Sequence, residues 1–371
     1  MPASTPFGIE EEFVLLDPTT LAPVDLGTDA VHALHELPDA AAATPDGAAG
    51  KVTHEFYRSQ LEHASPVCHS FAEAFASLHG FRERLSDVGT AEGALPVGTG
   101  TPPRLSPGAE LVPGDRYARI AADIGALTDE HLVNGLHVHV AVPDRDVGVQ
   151  ASNSLRRWLP LLVALSADSP LWEGRDTSFD SWRSIHLRRW TTSGIPPHFA
   201  DGAAYDRAVS ALAGVGATSD EATINWSVRL SPVYPTIEIR AFDAQLDAFG
   251  SVTLAVLTRA LVQAGLAGTS RERVDIGWGD AAVWHAARHG VSADLVDPWS
   301  GVLVPAAVAL QELHEHVLPH LQDEDERDAV AHLLGEAAQG RTGATAQREA
   351  HREGPEALAA LYRDRLTAPL P

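Results

Sequence analysis

One cysteine, one methionine and a single lysine in 371 residues set the first limits on this chain. The lone Cys68 excludes a disulfide within the chain and suits a reducing, cytoplasmic setting. With Lys51 as the single lysine, Schiff-base or lysine-nucleophile chemistry has little to draw on, and neither a Gly-Lys-Ser/Thr phosphate loop nor a Gly-x-Gly-x-x-Gly fingerprint occurs. The formal net charge of −23 argues against nucleic acid, because counterion release needs clustered cations. No run approaches the roughly 20 consecutive apolar residues of a membrane span. Met1 to Pro6 lacks both basic residues and an apolar stretch, so no secretory leader is expected there.

What is present is a set of charged residues inside apolar alternation. In Phe7-Gly8-Ile9-Glu10-Glu11-Glu12-Phe13 a strand sends Glu10 and Glu12 to one face, where two carboxylates repel unless a cation sits between them. A hard divalent cation is the usual partner; a solvated edge strand with protective charges is the plain alternative. Thr53 to Glu62 adds Glu55 and Glu62, with spacing that fits a strand or one face of a helix. Gly135 to Val142 alternates strongly, placing His137 and His139 on one face and Leu136, Val138 and Val140 on the other. Ile224 to Asp243 reads as a hairpin whose second strand carries Glu238 and Arg240 on its polar face, with Arg229 on the first strand. Such an ion pair is worth little if it is only cross-strand, but an arginine fork also suits phosphate and carboxylate oxygens.

Taken in order along the chain, these segments resemble the carboxylate-amine ligases related to bacterial glutamate-cysteine ligase (type 2, YbdK-like). The likeness also runs through Gly98-Thr99-Gly100-Thr101-Pro102-Pro103, Leu165 to Pro170, Trp172 to Thr177, Trp182-Arg183-Ser184, Arg189-Trp190 with Gly194-Ile195-Pro196-Pro197, and Ala286 to Gly290. The resemblance implies an α+β fold with a glutamine-synthetase-like catalytic core, a curved and mainly antiparallel sheet forming a funnel with helices outside. It implies ATP and Mg2+ as cofactors, an acyl-phosphate intermediate, and small-molecule carboxylate (glutamate) and amine substrates, with a homodimer admitted as the assembly.

On that reading Glu10, Glu12, Glu55, Glu62 and Glu238 would hold the metals, with Glu62 and Glu238 also counted as catalytic. His137 or His139 would lie beside the triphosphate and Arg240 would meet the transferred phosphoryl group. Arg183, Arg189 and Arg229 are the candidates for holding substrate or ATP. Asn134, Asp168, Ser227 and the run Phe179-Asp180-Ser181-Trp182-Arg183 depart from the family pattern, which leaves the carboxylate and the amine open. Two other classes are weighed against the ligase: a metal-dependent hydrolase built on His137-x-His139, and a protein that binds ATP without turnover.

One catalytic domain is expected over 1–371, sheet-rich to 245 and mostly helical from 246. A capping box at Ser70-Phe71-Ala72-Glu73 should open a helix. Residues 144–167, 245–268 and most of the chain after 301 read as helical, with breaks near Pro319, Gly340 and Gly354, and the segment from Ala40 to Gly50 reads as a mobile loop.

Overall fold

The structure, a computed structural model, describes residues 5–37, 50–106, 108–218, 221–268 and 277–371; the expected loop at 40–50 lies outside them except for Gly50. Alternation in the sequence becomes a seven-stranded, wholly antiparallel sheet. Its strands are β1 (Phe7–Leu16), β2 (Lys51–His54), β3 (Gln60–Ala64), β4 (Leu95–Val97), β5 (Gly135–Ala141), β8 (Val228–Leu230) and β9 (Thr236–Asp243). The remaining strands, β6 (Leu171–Trp172) with β7 (Arg175–Asp176) and β10 (Leu295–Val296) with β11 (Leu303–Val304), form two separate short pairs. In the main sheet the order is β2-β3-β1-β5-β9-β8, with β4 pairing the C-terminal part of β1. The segment Thr53 to Glu62 is thus neither one strand nor a helix: Glu55 lies in the connection between β2 and β3.

One face of this sheet is apolar. Phe7, Ile9, Leu136, Val138, Val140, Ile237 and Ile239 are buried on it, each aliphatic side chain there contributing about 1.5–3 kcal/mol relative to exposure. The long helices Phe71–Glu92 and Ala248–Leu266 pack together behind the sheet, and the second lies against β1 and β5. Ser70 caps the first of them, its side chain accepting the Glu73 amide, while the Glu73 side chain reaches one residue beyond the cap to accept the amide of His69. Ala248–Leu266 is long and apolar enough to cross a membrane, but most of it is buried in the core. Its Arg259 is fully buried in an ion pair with Glu326, an arrangement that a lipid-facing helix would not carry.

Residues 144–167 form two helices rather than one, Arg145–Leu155 and Leu159–Ser166, because Pro160 starts a new first turn. After 301 the helices Ala306–Val317, Glu324–Ala338, Gly343–Glu353 and Pro355–Leu366 are separated near Pro319, Gly340 and Gly354.

Candidate active site

The other face of the sheet carries the chemistry, and the strand register explains why. Glu10 lies opposite His137, and Glu12 opposite Glu62. His139 lies opposite Glu238, and Glu238 opposite Arg229. Thr53 on β2 is the neighbour of Glu62. Because side chains alternate at period two, this pairing turns one residue from each of β2, β3, β9 and β8 and two from each of β1 and β5 toward the same side, giving a polar row across six strands.

Three ligand groups string along the row: Glu12 with Glu55 and Glu62, Glu10 with Glu62 and His137, and Glu10 with His139 and Glu238. Within each group the donor atoms lie within 4.8 Å of one another. Glu10 and Glu62 each belong to two groups. All five glutamates of the sequence expectation therefore converge, including Glu55, which the connection between β2 and β3 swings back toward Glu12.

The electrostatics divide the row into a saturated end and an unsaturated one. Glu10 lies 3.3 Å from His137 Nδ1 and 3.3 Å from His139 Nε2. Burial pushes its carboxyl up, but the two imidazoles outweigh that and hold it below the usual range. Burial also works on Glu238, which Arg240, Arg229 and His139 together hold low. On Glu62 and Glu55 the lowering influences, Arg240 on both and the Phe56 amide and Arg116 on Glu55, are outweighed. Desolvation, with the charges of Glu10, Glu55 and Glu12 added, raises Glu62 well above the ordinary value, and desolvation with Glu12 raises Glu55 to about 8. Thr53 Oγ1 reaches Glu62 at 3.4 Å, a contact too weak to compensate.

Crowded carboxylate oxygens whose mutual repulsion the nearby arginines do not offset match the preference of a hard divalent ion, so the donor set fits magnesium. His137 is kept neutral by burial and by nearby Arg240, against Glu10 and Glu12, which leaves a ring nitrogen able to coordinate. His137 and His139 fall in different ligand groups, so the two do not form the shared two-histidine grip that a zinc hydrolase would use.

The arginines differ sharply in what they are free to do. Arg229, expected from the sequence to bind substrate or ATP, is committed: its fork meets Glu238 at 2.7 and 3.0 Å and its remaining nitrogen donates to the carbonyls of Ala222 and Ile224. It fixes Glu238. Arg189 is half-buried and pairs with Glu130 at 2.6 Å and with His186, neither of which belongs to a ligand group. Arg240 contacts Glu238 and lies 3.3 Å from His137 Nδ1, at the junction of two ligand groups. Arg183 is buried beside Gly135 and His137.

Several departures from the family pattern prove to be scaffold. Asn134 accepts from Gln60 at 2.7 Å and donates to the Thr99 carbonyl at 3.0 Å, fixing the entry to β5. Asp168 accepts from the Leu246 amide and from Gln347, and Asp180 is paired with Arg348. Sequence reasoning missed Thr236, which lies 2.9 Å from His139 Nδ1; it sits two positions before Glu238, so the same alternation could have found it.

The row of acids and histidines thus lies on one face of an antiparallel sheet whose other face packs against helices. The model of glutamate-cysteine ligase family 2 matches residues 6–364, and the chain belongs to that family, a family of ATP-dependent ligases. A Saccharopolyspora erythraea relative named "Putative glutamate--cysteine ligase 2-2" is 39% identical over 356 residues, covering 94% of this chain and 88% of the relative. A Frankia alni relative of the same name is 39% identical over 354 residues, covering 93% and 92%. Among solved structures, the Francisella tularensis glutamate-cysteine ligase in complex with AMP superposes with a TM-score of 0.74 at 12% identity, covering 99% of this chain and 90% of that one. The bifunctional glutathione synthetase of Pasteurella multocida gives 0.68 at 15% identity, covering 98% and 52%. At such identities these two likenesses speak for the fold alone.

Proposed function

We propose that the chain joins glutamate, through its side-chain carboxylate, to cysteine or another amine, using ATP and forming an acyl phosphate on the way. The observation that carries the reading is the row of three overlapping ligand groups with Arg240 at their junction. Phosphoryl transfer between two anions demands charge neutralisation and positioning more than covalent chemistry, and this row supplies both. Glu12, Glu55 and Glu62 would hold one magnesium ion, and Glu10 with His137, His139, Glu62 and Glu238 the remainder. Bound there, the metal would neutralise phosphate oxygens and leave the acyl acceptor accessible. Arg229 keeps Glu238 oriented, His137 stays neutral, and Arg240 is placed to meet charge on the transferred phosphoryl group. The relatives' names favour cysteine as the amine. Residues 1–371 act as one catalytic unit in the cytoplasm.

The test is calorimetric titration with ATP and magnesium, followed by phosphate release with glutamate fixed and amines varied. Cysteine preferred by more than about tenfold, roughly 1.4 kcal/mol, supports the γ-glutamyl-cysteine reading; a comparable preference for another amine redirects it. ATP binding without phosphate release for any pair would sink the ligase assignment, and zinc-dependent hydrolysis without ATP would replace it.

A further inference from the structure

On β5 the row of outward positions runs Gly135, His137, His139. The first carries no side chain, and the space is taken by a guanidinium. A methyl group at Gly135 would collide with Nη2 of Arg183 and lie 3.1 Å from its Cζ and 3.0 Å from His137 Nε2. The Gly135 amide also donates to Glu12 at 2.6 Å, so this position touches a metal-ligand candidate, a histidine and an arginine at once.

Arg183 is only 3% exposed, yet its partners are poor. Its two terminal nitrogens reach the Arg240 carbonyl at 3.5 and 3.4 Å, Asp243 lies 4.0 Å away, and Nε has no partner among the described residues. Asp243 is itself occupied, accepting from Ser169, Ser181 and the Asp168 amide. The other arginines of this region are held closely: Arg229 and Arg240 by Glu238, Arg189 by Glu130. Asp243 and Glu12 act on this buried cation only at longer range, and a buried cation whose counter-ions make no hydrogen bond to it is costly, unless an anion joins it in the working state.

We infer that Arg183 receives the reacting carboxylate of the substrate and donates to its non-phosphorylated oxygen throughout the reaction. This rests on the ligase reading above. In the first step a carboxylate oxygen forms a bond to the γ-phosphorus of ATP, and ADP leaves with the electron pair of the broken P–O bond. In the second the amine nitrogen bonds to the acyl carbon, phosphate leaves with the C–O pair, and the departing phosphate takes up the proton that the nitrogen gives up. Arg183 makes and breaks no covalent bond. It holds the remaining oxygen, which becomes the oxyanion of the tetrahedral intermediate, and Gly135 is the gap that lets it reach that place.

The test uses Arg183→Met, Arg183→Lys and Gly135→Ala in the full chain. Arg183→Met should lower kcat about 100-fold, the scale of removing one oxyanion donor, with the affinity for ATP and magnesium by calorimetry unchanged. Its melting temperature without substrates should hold or rise. Arg183→Lys should recover part of kcat. Gly135→Ala should lower kcat in the parent but add less than about twofold in the Arg183→Met background, since coupled residues are not additive. A fallen melting temperature with kcat retained would make Arg183 a structural residue. Multiplying losses, or a loss confined to ATP affinity, would likewise overturn the assignment. If the parent releases no phosphate with any substrate pair, the ligase reading fails instead, and glutamate binding by calorimetry decides on Arg183: equal affinity in parent and Arg183→Met refutes it.

Discussion

Glu11 and Arg82 form a closed ion pair on the helix side of the sheet, directly behind the ligand row. Arg82 donates to the two carboxylate oxygens at 2.6 and 3.2 Å, and both residues are buried to within 2% of full exclusion. Arg82 also donates to the carbonyls of Gln245 and Leu246, and Ser251 donates to Glu11. Of three consecutive glutamates, the middle one therefore belongs to the core and its two neighbours to the site.

Arg82→Met should destabilise the protein by about 3–5 kcal/mol, the usual cost of leaving one member of a buried pair alone. Replacing both residues by apolar ones of similar size should recover much of that loss. Chemical denaturation of the two single mutants and the double mutant measures it; additive losses would contradict a mutual pairing.

The raised Glu55 gives the ion-free protein a pH dependence of definite sign. An acid whose folded pKa lies above its unfolded one stabilises the fold at low pH, and the contribution is lost as pH rises from about 4.5 toward about 8. Melting temperature without magnesium should therefore fall across that window more steeply in the parent than in Glu55→Gln. Magnesium should bind better as pH rises, releasing protons, and cancel most of the fall. An identical pH profile in parent and mutant would refute the assignment.

Glu12→Gln should leave the fold intact while removing much of the magnesium-induced stabilisation, since the neutral amide no longer repels Glu55 and no longer supplies charge to the ion. Without magnesium its melting temperature should match or exceed that of the parent. Equal magnesium-induced shifts in both proteins would exclude Glu12 as a ligand.

Arg240→Lys keeps the charge but loses the planar guanidinium, one nitrogen of which meets Glu238. Its kcat should drop with KM for ATP little changed, as for an interaction made mainly in the transition state. Steady-state kinetics at saturating ATP decide it: an unchanged kcat assigns Arg240 to fixing Glu238 alone.

The parts of the site that could be read from the sequence are those set by period-two alternation: Glu10 with Glu12, His137 with His139, Glu238 with Arg240. Each pair shares a strand, so local spacing determines its face. Glu55 sits in a connection with no periodicity, and its approach to Glu12 depends on how β2 and β3 pair. Arg229 and Arg189 carry the right chemistry in matching segments, but their partners Glu238 and Glu130 are fixed by tertiary structure, so spacing alone could not tell a supporting arginine from a ligand-binding one. The Arg183 contact with Gly135 spans 48 positions and depends on an absent side chain, which no residue pattern signals.

Because Glu10 and Glu12 flank Glu11 on a strand paired along both edges, site and core are encoded in one reading frame. Inserting or deleting a single residue in β1 ahead of Glu10 would, if pairing were kept, exchange the two faces, sending ligand carboxylates toward the helices and Glu11 into the open row. Lineages carrying this strand can therefore vary what the site accepts by replacing residues, while length changes must be absorbed in the loops that join the strands.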